Sequence, residues 1–138
     1  MSNYVLITGA TAGFGEACAR IFAKNKWNLI ITGRRKERLE LLKKELYDAH
    51  DVDIVTLSFD VREQQAVENA INLISEKVKN KLEILINNAG LAVGKGPIDN
   101  GIIDDWERMI DTNIKGLLYV SNAVIPVLKS NAKGHIIN

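Results

Sequence analysis

The first fifteen residues constrain the chain more than any other stretch. Tyr4-Val5-Leu6-Ile7 is a short apolar run, and Thr8-Gly9-Ala10-Thr11-Ala12-Gly13-Phe14-Gly15 follows it directly. A run this short, stopped by Thr8-Gly9, reads as a buried strand. Phe14, Ala17, Cys18, Ile21 and Phe22 then recur at i, i+3, i+4, i+7 and i+8, the period of one helix face. A strand, a glycine-rich turn and a helix, in that order, form a ready receptor for phosphate. Gly9 permits the tight turn, Gly13 lets the backbone approach a pyrophosphate, and Gly15 lets helix and strand pack closely. The free N–H groups at the helix start face the anion. The spacing, G-x-x-x-G-x-G, is a variant of the dinucleotide-binding fingerprint with the same outer span. The bland alternative is a glycine-rich turn that binds nothing. The position between strand and helix favours the binding turn, so Gly9, Ala10, Thr11, Ala12, Gly13, Phe14 and Gly15 are candidate cofactor contacts.

The same alternation continues to the end of the chain. Leu29-Ile30-Ile31-Thr32 is a second strand, stopped by Gly33, and Leu39, Leu42 and Leu46 give a second helical stripe. Val52, Ile54, Val55 and Leu57 read as a third strand ending near Asp60. Val67, Ala70, Ile71, Ile74 and Val78 read as one face of a third helix. Ile84-Leu85-Ile86 is a fourth strand, closed by Asn87-Asn88-Ala89-Gly90. After a loop holding Gly94, Gly96, Pro97 and Gly101, a long helix is expected from Asp104, with Glu107 completing a capping box. Its apolar stripe is Trp106, Met109, Ile110, Ile114, Leu117, Leu118, Val124, Ile125 and Leu128, and Asn113 falls on the same face. Pro126 should kink it near its end. Gly134 opens a fifth strand, His135-Ile136-Ile137-Asn138. Five nearly continuous apolar strands with four helices between them predict a doubly wound parallel α/β sheet of the Rossmann type. It forms one domain over residues 1–138, with the sheet cut short after the fifth strand.

Composition removes several classes of partner. Lys plus Arg number 18 and Asp plus Glu 17, a net charge of +1, so no basic excess points to nucleic acid or an anionic membrane. The only cysteine, Cys18, cannot build a disulfide framework and reads as a core thiol on the first helix. His50 and His135 have no ligand-spaced partner, so no metal site is read. No apolar run approaches the roughly 18 residues of a membrane span, and Met1-Ser2-Asn3 does not open a secretory leader. The expectation is a soluble cytoplasmic protein.

The end of the second strand speaks to the cofactor. An acidic residue there would bind an unmodified adenosine ribose. The chain has Thr32-Gly33-Arg34-Arg35 instead. Guanidinium groups match phosphate geometry and keep their charge, which favours a 2′-phosphorylated ribose. Arg34 and Arg35 could also simply open a solvated helix face, as Lys36, Glu37 and Arg38 do.

Taken together, these motifs resemble the N-terminal half of the short-chain dehydrogenase/reductase family. Thr8-Gly9 through Gly15 is similar to that family's cofactor turn, and Asp60-Val61 to its adenine-contacting pair. Asn87-Asn88-Ala89-Gly90 is similar to the segment that stabilises the central sheet beside the cofactor. Asn113, within Asp111-Thr112-Asn113, stands where the family carries the Asn of its Asn-Ser-Tyr-Lys catalytic set. There the main-chain carbonyl holds a water of the proton relay. Thr8 to Glu16, Thr32 to Arg35, Asn87 to Ala92, Asp105-Trp106-Glu107, Asp111-Thr112-Asn113 and Gly134 to Asn138 further resemble the NADP-dependent serine/3-hydroxy acid dehydrogenases. The resemblance implies NADP(H), a small hydroxy acid or other alcohol/carbonyl substrate, and a homodimer or homotetramer built through the long helix, residues 104–130.

The family's Tyr, with a Lys four positions later, is not found. Four residues after Tyr4, Tyr47 and Tyr119 stand Thr8, Asp51 and Ala123. The family's Ser would lie beyond the fifth strand. The chain also stops inside an apolar strand, which leaves a central strand as an edge. It is therefore expected to be the cofactor-binding portion of a longer single-domain oxidoreductase and inactive alone. The alternative is a non-catalytic NADP(H)-binding module or sensor; an epimerase or dehydratase on a related scaffold fits the glycine spacing less well.

Overall fold

The computed structural model describes residues 2–138. Strand β1 (Tyr4–Ile7) leads to helix α1 (Gly13–Lys24), β2 (Asn28–Gly33), α2 (Lys36–His50) and β3 (Ile54–Ser58). Helices α3 (Gln64–Asn72) and α4 (Glu76–Lys79) precede β4 (Leu82–Ile86). Helices α5 (Ile103–Ile110) and α6 (Leu117–Ser130) precede β5 (His135–Ile137). All pairings are parallel and the strand order is β3-β2-β1-β4-β5. This is the predicted doubly wound sheet, with four crossovers.

Strand alternation divides the core in two. Val5 and Ile7 of β1, with Leu29 and Ile31 of β2, meet α1 and α2 through Ala19, Ala23, Leu39, Leu42 and Leu46. Tyr4, Leu6, Ile30 and Leu85 face the other way, onto Val67, Ile71, Val120, Val124 and Leu128. Ile7, Ile30 and Leu85 are fully buried. Each such side chain stabilises the fold by roughly 1.5–3 kcal/mol relative to exposure. At the rim of the second layer the Tyr4 hydroxyl donates to the Asp53 carboxylate. Burial, then that carboxylate, raises the phenol's pKa above its ordinary value.

Several helix expectations are corrected. On α1 the stripe led by Phe14, Ala17 and Ile21 points outward, with Phe14 85% and Ile21 61% exposed. The docked face is Gly15, Ala19 and Ala23. Small residues win because the helix must approach the sheet closely at Gly15, and the bulky face cannot. Cys18 is accordingly half-buried, packed against the core from its margin. The third helix is two pieces. It breaks after Asn72, Leu73 turns out 81% exposed, and Ser75 begins α4 in extended geometry. Ile74 and Val78 remain buried, which is why a single period was legible across a break.

The long helix departs most. It starts at Ile103, with Ile102 at the cap, so Asp104 and Asp105 lie in the first turn, where the dipole favours carboxylates. Helix α6 continues through Pro126. The irregularity lies elsewhere, in a π turn over Asp111–Gly116. Gly116, which ends that turn, and Val120, Val124 and Leu128 of α6 are buried, while Ile110, Ile114, Leu118 and Ile125 are exposed. Gly116 sits against Val61, where an added Cβ would fall 2.7 Å from Val61 Cγ2. That close approach sets which face turns inward. Asn113 is therefore exposed, not buried as the stripe implied. Strand β5 pairs only with β4 and its three residues are exposed.

Candidate cofactor cleft

The strand order reverses between β1 and β4, and open α/β sheets bind ligands outside the carboxyl ends of the strands at such a point. Two loops meet there. The Thr8 hydroxyl oxygen accepts from the main-chain N–H groups of Asn88 and Ala89, both at 3.0 Å, and donates to the Ile86 carbonyl at 3.4 Å. In return the Asn88 amide nitrogen donates to the carbonyls of Thr8 (3.0 Å) and Gly9 (3.1 Å). Gly9 adopts φ +64°, and a Cβ there would lie 2.9 Å from Ala89 Cα. A Cβ on Gly15 would collide with the Gly9 carbonyl oxygen and the Asn88 amide. Only a chain without side chains at both positions can fold this turn against its neighbour.

The turn ends at α1, capped by Ala12, which makes no side-chain capping bond. The leading N–H groups of the helix thus have no side-chain acceptor and suit an anion. A cleft of about 310 Å³ opens beside them, bounded by Gly9, Thr11, Ala12 and Gly13 on one wall and Asn88, Ala89, Gly90 and Leu91 on another. Four guanidinium groups, Arg34, Arg35, Arg62 and Arg108, stand around it with one carboxylate, Asp60. Arg62 grips that carboxylate: Nε lies 3.1 Å from both oxygens, Nη2 is 2.7 Å from Oδ2, and the main-chain N–H is 3.0 Å from Oδ1. These hydrogen bonds hold the Asp60 carboxyl below the usual carboxylate range against the opposing effect of burial, and Arg34 adds a weaker field.

Of the residues expected from sequence, Gly9, Thr11, Ala12, Gly13, Arg34, Arg35, Asp60, Val61, Ala89 and Gly90 line the cleft. Ala10 is buried beneath it, its N–H on the Thr32 carbonyl at 3.0 Å. Gly15 lies buried under the turn, and Phe14 projects from the first turn of α1. The Asn87 amide turns away, donating to Ser121 Oγ (3.0 Å) and Asn138 Oδ1 (2.9 Å). Asn113 lies across from Gly90, its amide paired with the main chain of Leu91. Asn88 as the clamp, and Arg62 and Arg108 as cleft residues, were not singled out from sequence. The Asp60-x-Arg62 spacing at a strand end could have flagged Arg62, because an Asp in a turn commonly bonds the backbone two residues on. Arg108 had no local signal. Among the described residues no three His, Cys, Asp or Glu side chains gather as metal ligands, and no helix is long and apolar enough to cross a membrane.

A sequence model of the short chain dehydrogenase family matches residues 3–138. The chain belongs to that family. The NADP-dependent 3-hydroxy acid dehydrogenase of Salmonella typhi is 46% identical over 134 residues, which is 97% of this chain and 52% of that protein. Sulfoacetaldehyde reductase 2 of Chromohalobacter salexigens is 48% identical over 139 residues, covering 100% of this chain and 54% of that one. A closed form of serine dehydrogenase complexed with NADP+ superimposes with a TM-score of 0.88 at 47% identity, over 98% of this chain and 52% of that one. The chain thus spans about half the length of the curated relatives it matches.

Proposed function

We propose that this chain supplies the NADP(H)-binding part of an oxidoreductase acting on a small hydroxy acid or another alcohol/carbonyl substrate. The observation that carries the reading is the turn of Gly9 to Gly15, which leaves no room for a side chain at Gly9 or Gly15, is clamped to Asn88, and is followed across the cleft by Arg34 and Arg35 with no carboxylate at the end of β2. The fit is that of a pyrophosphate on the uncapped start of α1 and a ribose 2′-phosphate on the arginines. Relatives named as NADP-dependent or solved with NADP+ support it.

In this reading the backbone of Gly9 to Gly15 holds the pyrophosphate, and Arg34 and Arg35 hold the 2′-phosphate. Asp60 and Val61 contact the adenine, while Ala89 and Gly90 border the nicotinamide-side ribose and Asn87 supports that wall from behind through Ser121. The nicotinamide, when bound, supplies hydride chemistry. The Asn113 amide ties its turn to Leu91, and in this reading the Asn113 main-chain carbonyl holds a water of the proton relay. The proton donor lies outside these residues, because none of Tyr4, Tyr47 and Tyr119 has a Lys four positions on; the chain alone binds cofactor without turnover. The names of both curated relatives describe a small acid bearing an alcohol or carbonyl, which supports that substrate class. The exposed Ile110, Ile114, Leu118 and Ile125 support pairing of the 104–130 region with a second copy, in a homodimer or homotetramer working in the cytoplasm.

Substituting Arg34→Ala tests the assignment. NADPH affinity should fall by roughly tenfold or more while NADH affinity stays nearly constant. Equal loss for both nucleotides would overturn the role of Arg34. Cofactor binding without turnover in the whole protein would favour a sensor.

A further inference from the structure

We propose that Arg62 is the positioning residue of the adenine subsite: it fixes the Asp60 carboxylate in one orientation so that a remaining lone pair accepts a hydrogen bond from the exocyclic amine of the base. This rests on the cofactor reading above. Three hydrogens reach the carboxylate from Arg62, those on Nε, Nη2 and the main-chain nitrogen, with Nε shared between the two oxygens. An ionised carboxylate offers about four acceptor sites, so one is left for a donor in the cleft. The Asp60 side chain is 23% exposed and that of Arg62 32%, so the pair is sheltered yet open on the cleft side. Phe59 and Val61, both buried to within 9% and both lining the cleft, give the flat apolar wall that a purine needs beside that acceptor. The two residues are nearly adjacent in sequence, so the arrangement exists before a ligand arrives.

The charged groups around the pair act in one direction. Arg34, from the end of β2, favours the ionised form of Asp60. Glu63 and Asp111 both lie where they hold the Arg62 guanidinium charged. With Arg62 gone, the carboxylate would lose its fixed rotamer and would protonate at higher pH.

The test compares NADPH with its hypoxanthine analogue, in which a carbonyl replaces the exocyclic amine, by titration onto the full chain. For Arg62→Met, NADPH affinity should fall by roughly fivefold to tenfold while that for the analogue hardly changes. The pH below which NADPH binding is lost should move upward. Arg62→Lys should restore part of the preference, and matched thermal unfolding of both variants guards against a misfolded loop. Equal loss of the two nucleotides would overturn the proposal, since a direct phosphate contact or a merely structural role would not distinguish them. An unchanged pH profile would overturn it as well. Failure of the unsubstituted chain to bind either nucleotide would instead overturn the cofactor reading on which this proposal stands.

Discussion

Both ends of the Asn113 side-chain amide are engaged by one residue: Oδ1 accepts from the Leu91 N–H and Nδ2 donates to the Leu91 carbonyl, each at 2.8 Å. The pair joins the π turn at 111–116 to the loop leaving β4, across 22 residues of sequence. It copies a strand pairing with a side chain. Any change at Asn113 therefore acts on the cleft wall at Gly90 and Leu91.

Asn113→Ala should free the Leu91 amide to exchange with solvent many times faster, with a stability loss of about 1 kcal/mol, because the site is exposed and water replaces the lost bonds. Amide hydrogen exchange and thermal unfolding measure the two effects. In the whole enzyme, turnover should fall more than cofactor affinity. Unaltered exchange at Leu91 would contradict the pairing.

Gly15→Ala and Gly13→Ala should differ sharply. At Gly15 the added methyl meets the Gly9 carbonyl and the Asn88 amide in a buried junction, and a loss of about 3 kcal/mol or more is expected. At Gly13 the space is open and only the φ of +56° resists, at about 1–2 kcal/mol. Denaturant melts of the two variants rank them directly.

Thr8→Val keeps the shape of a residue only 2% exposed but removes the acceptor of two N–H groups. Stranding donors from Asn88 and Ala89 should cost about 1–3 kcal/mol and loosen nucleotide binding along with it. Thr8→Ser should retain most of both. Equal behaviour of Val and Ser would show that the hydroxyl does not hold the loops.

Tyr4 makes the alkaline limb of stability specific. Its pKa is raised in the folded state by burial and by the Asp53 carboxylate. The neutral phenol therefore contributes stability that is fully present below the unfolded pKa of about 10 and is lost as pH rises toward the folded value. Unfolding free energy should decline above about pH 10 in the unsubstituted chain, and Tyr4→Phe should remove that part of the decline. Paired melts from pH 8 to 11 decide it.

The strands were legible because a sheet covered on both faces needs continuous apolar runs, and Val5 to Ile7 or Leu29 to Ile31 can serve little else. The glycine turn was legible because Gly9 and Gly15 stand where no side chain fits and Gly13 takes a left-handed φ. The faces of the helices were not. The 3.6-residue period marks every apolar stripe, and α1 carries two: one of small residues that docks, another of large ones that does not. The π turn was invisible, since one extra residue per turn leaves no mark in Asp111 to Gly116. Arg62 and Arg108 were missed for different reasons. The first hid inside a motif noted for its neighbour, while the second reaches the cleft only through tertiary packing.

The pairing of β1 with β4 sets Tyr4 beside Leu82, and the Thr8–Asn88 clamp closes the same span. Nearly eighty residues must be looped before the two walls of the cleft meet, so the site is a non-local product and among the later features of the folding reaction to form. Nucleotide would then bind only molecules that have completed this closure, and would draw the population toward them by mass action. Added cofactor should thus act as a folding ligand for the whole sheet, and retention on an immobilised nucleotide would separate fully closed molecules from those in which the first strand has not yet found the fourth.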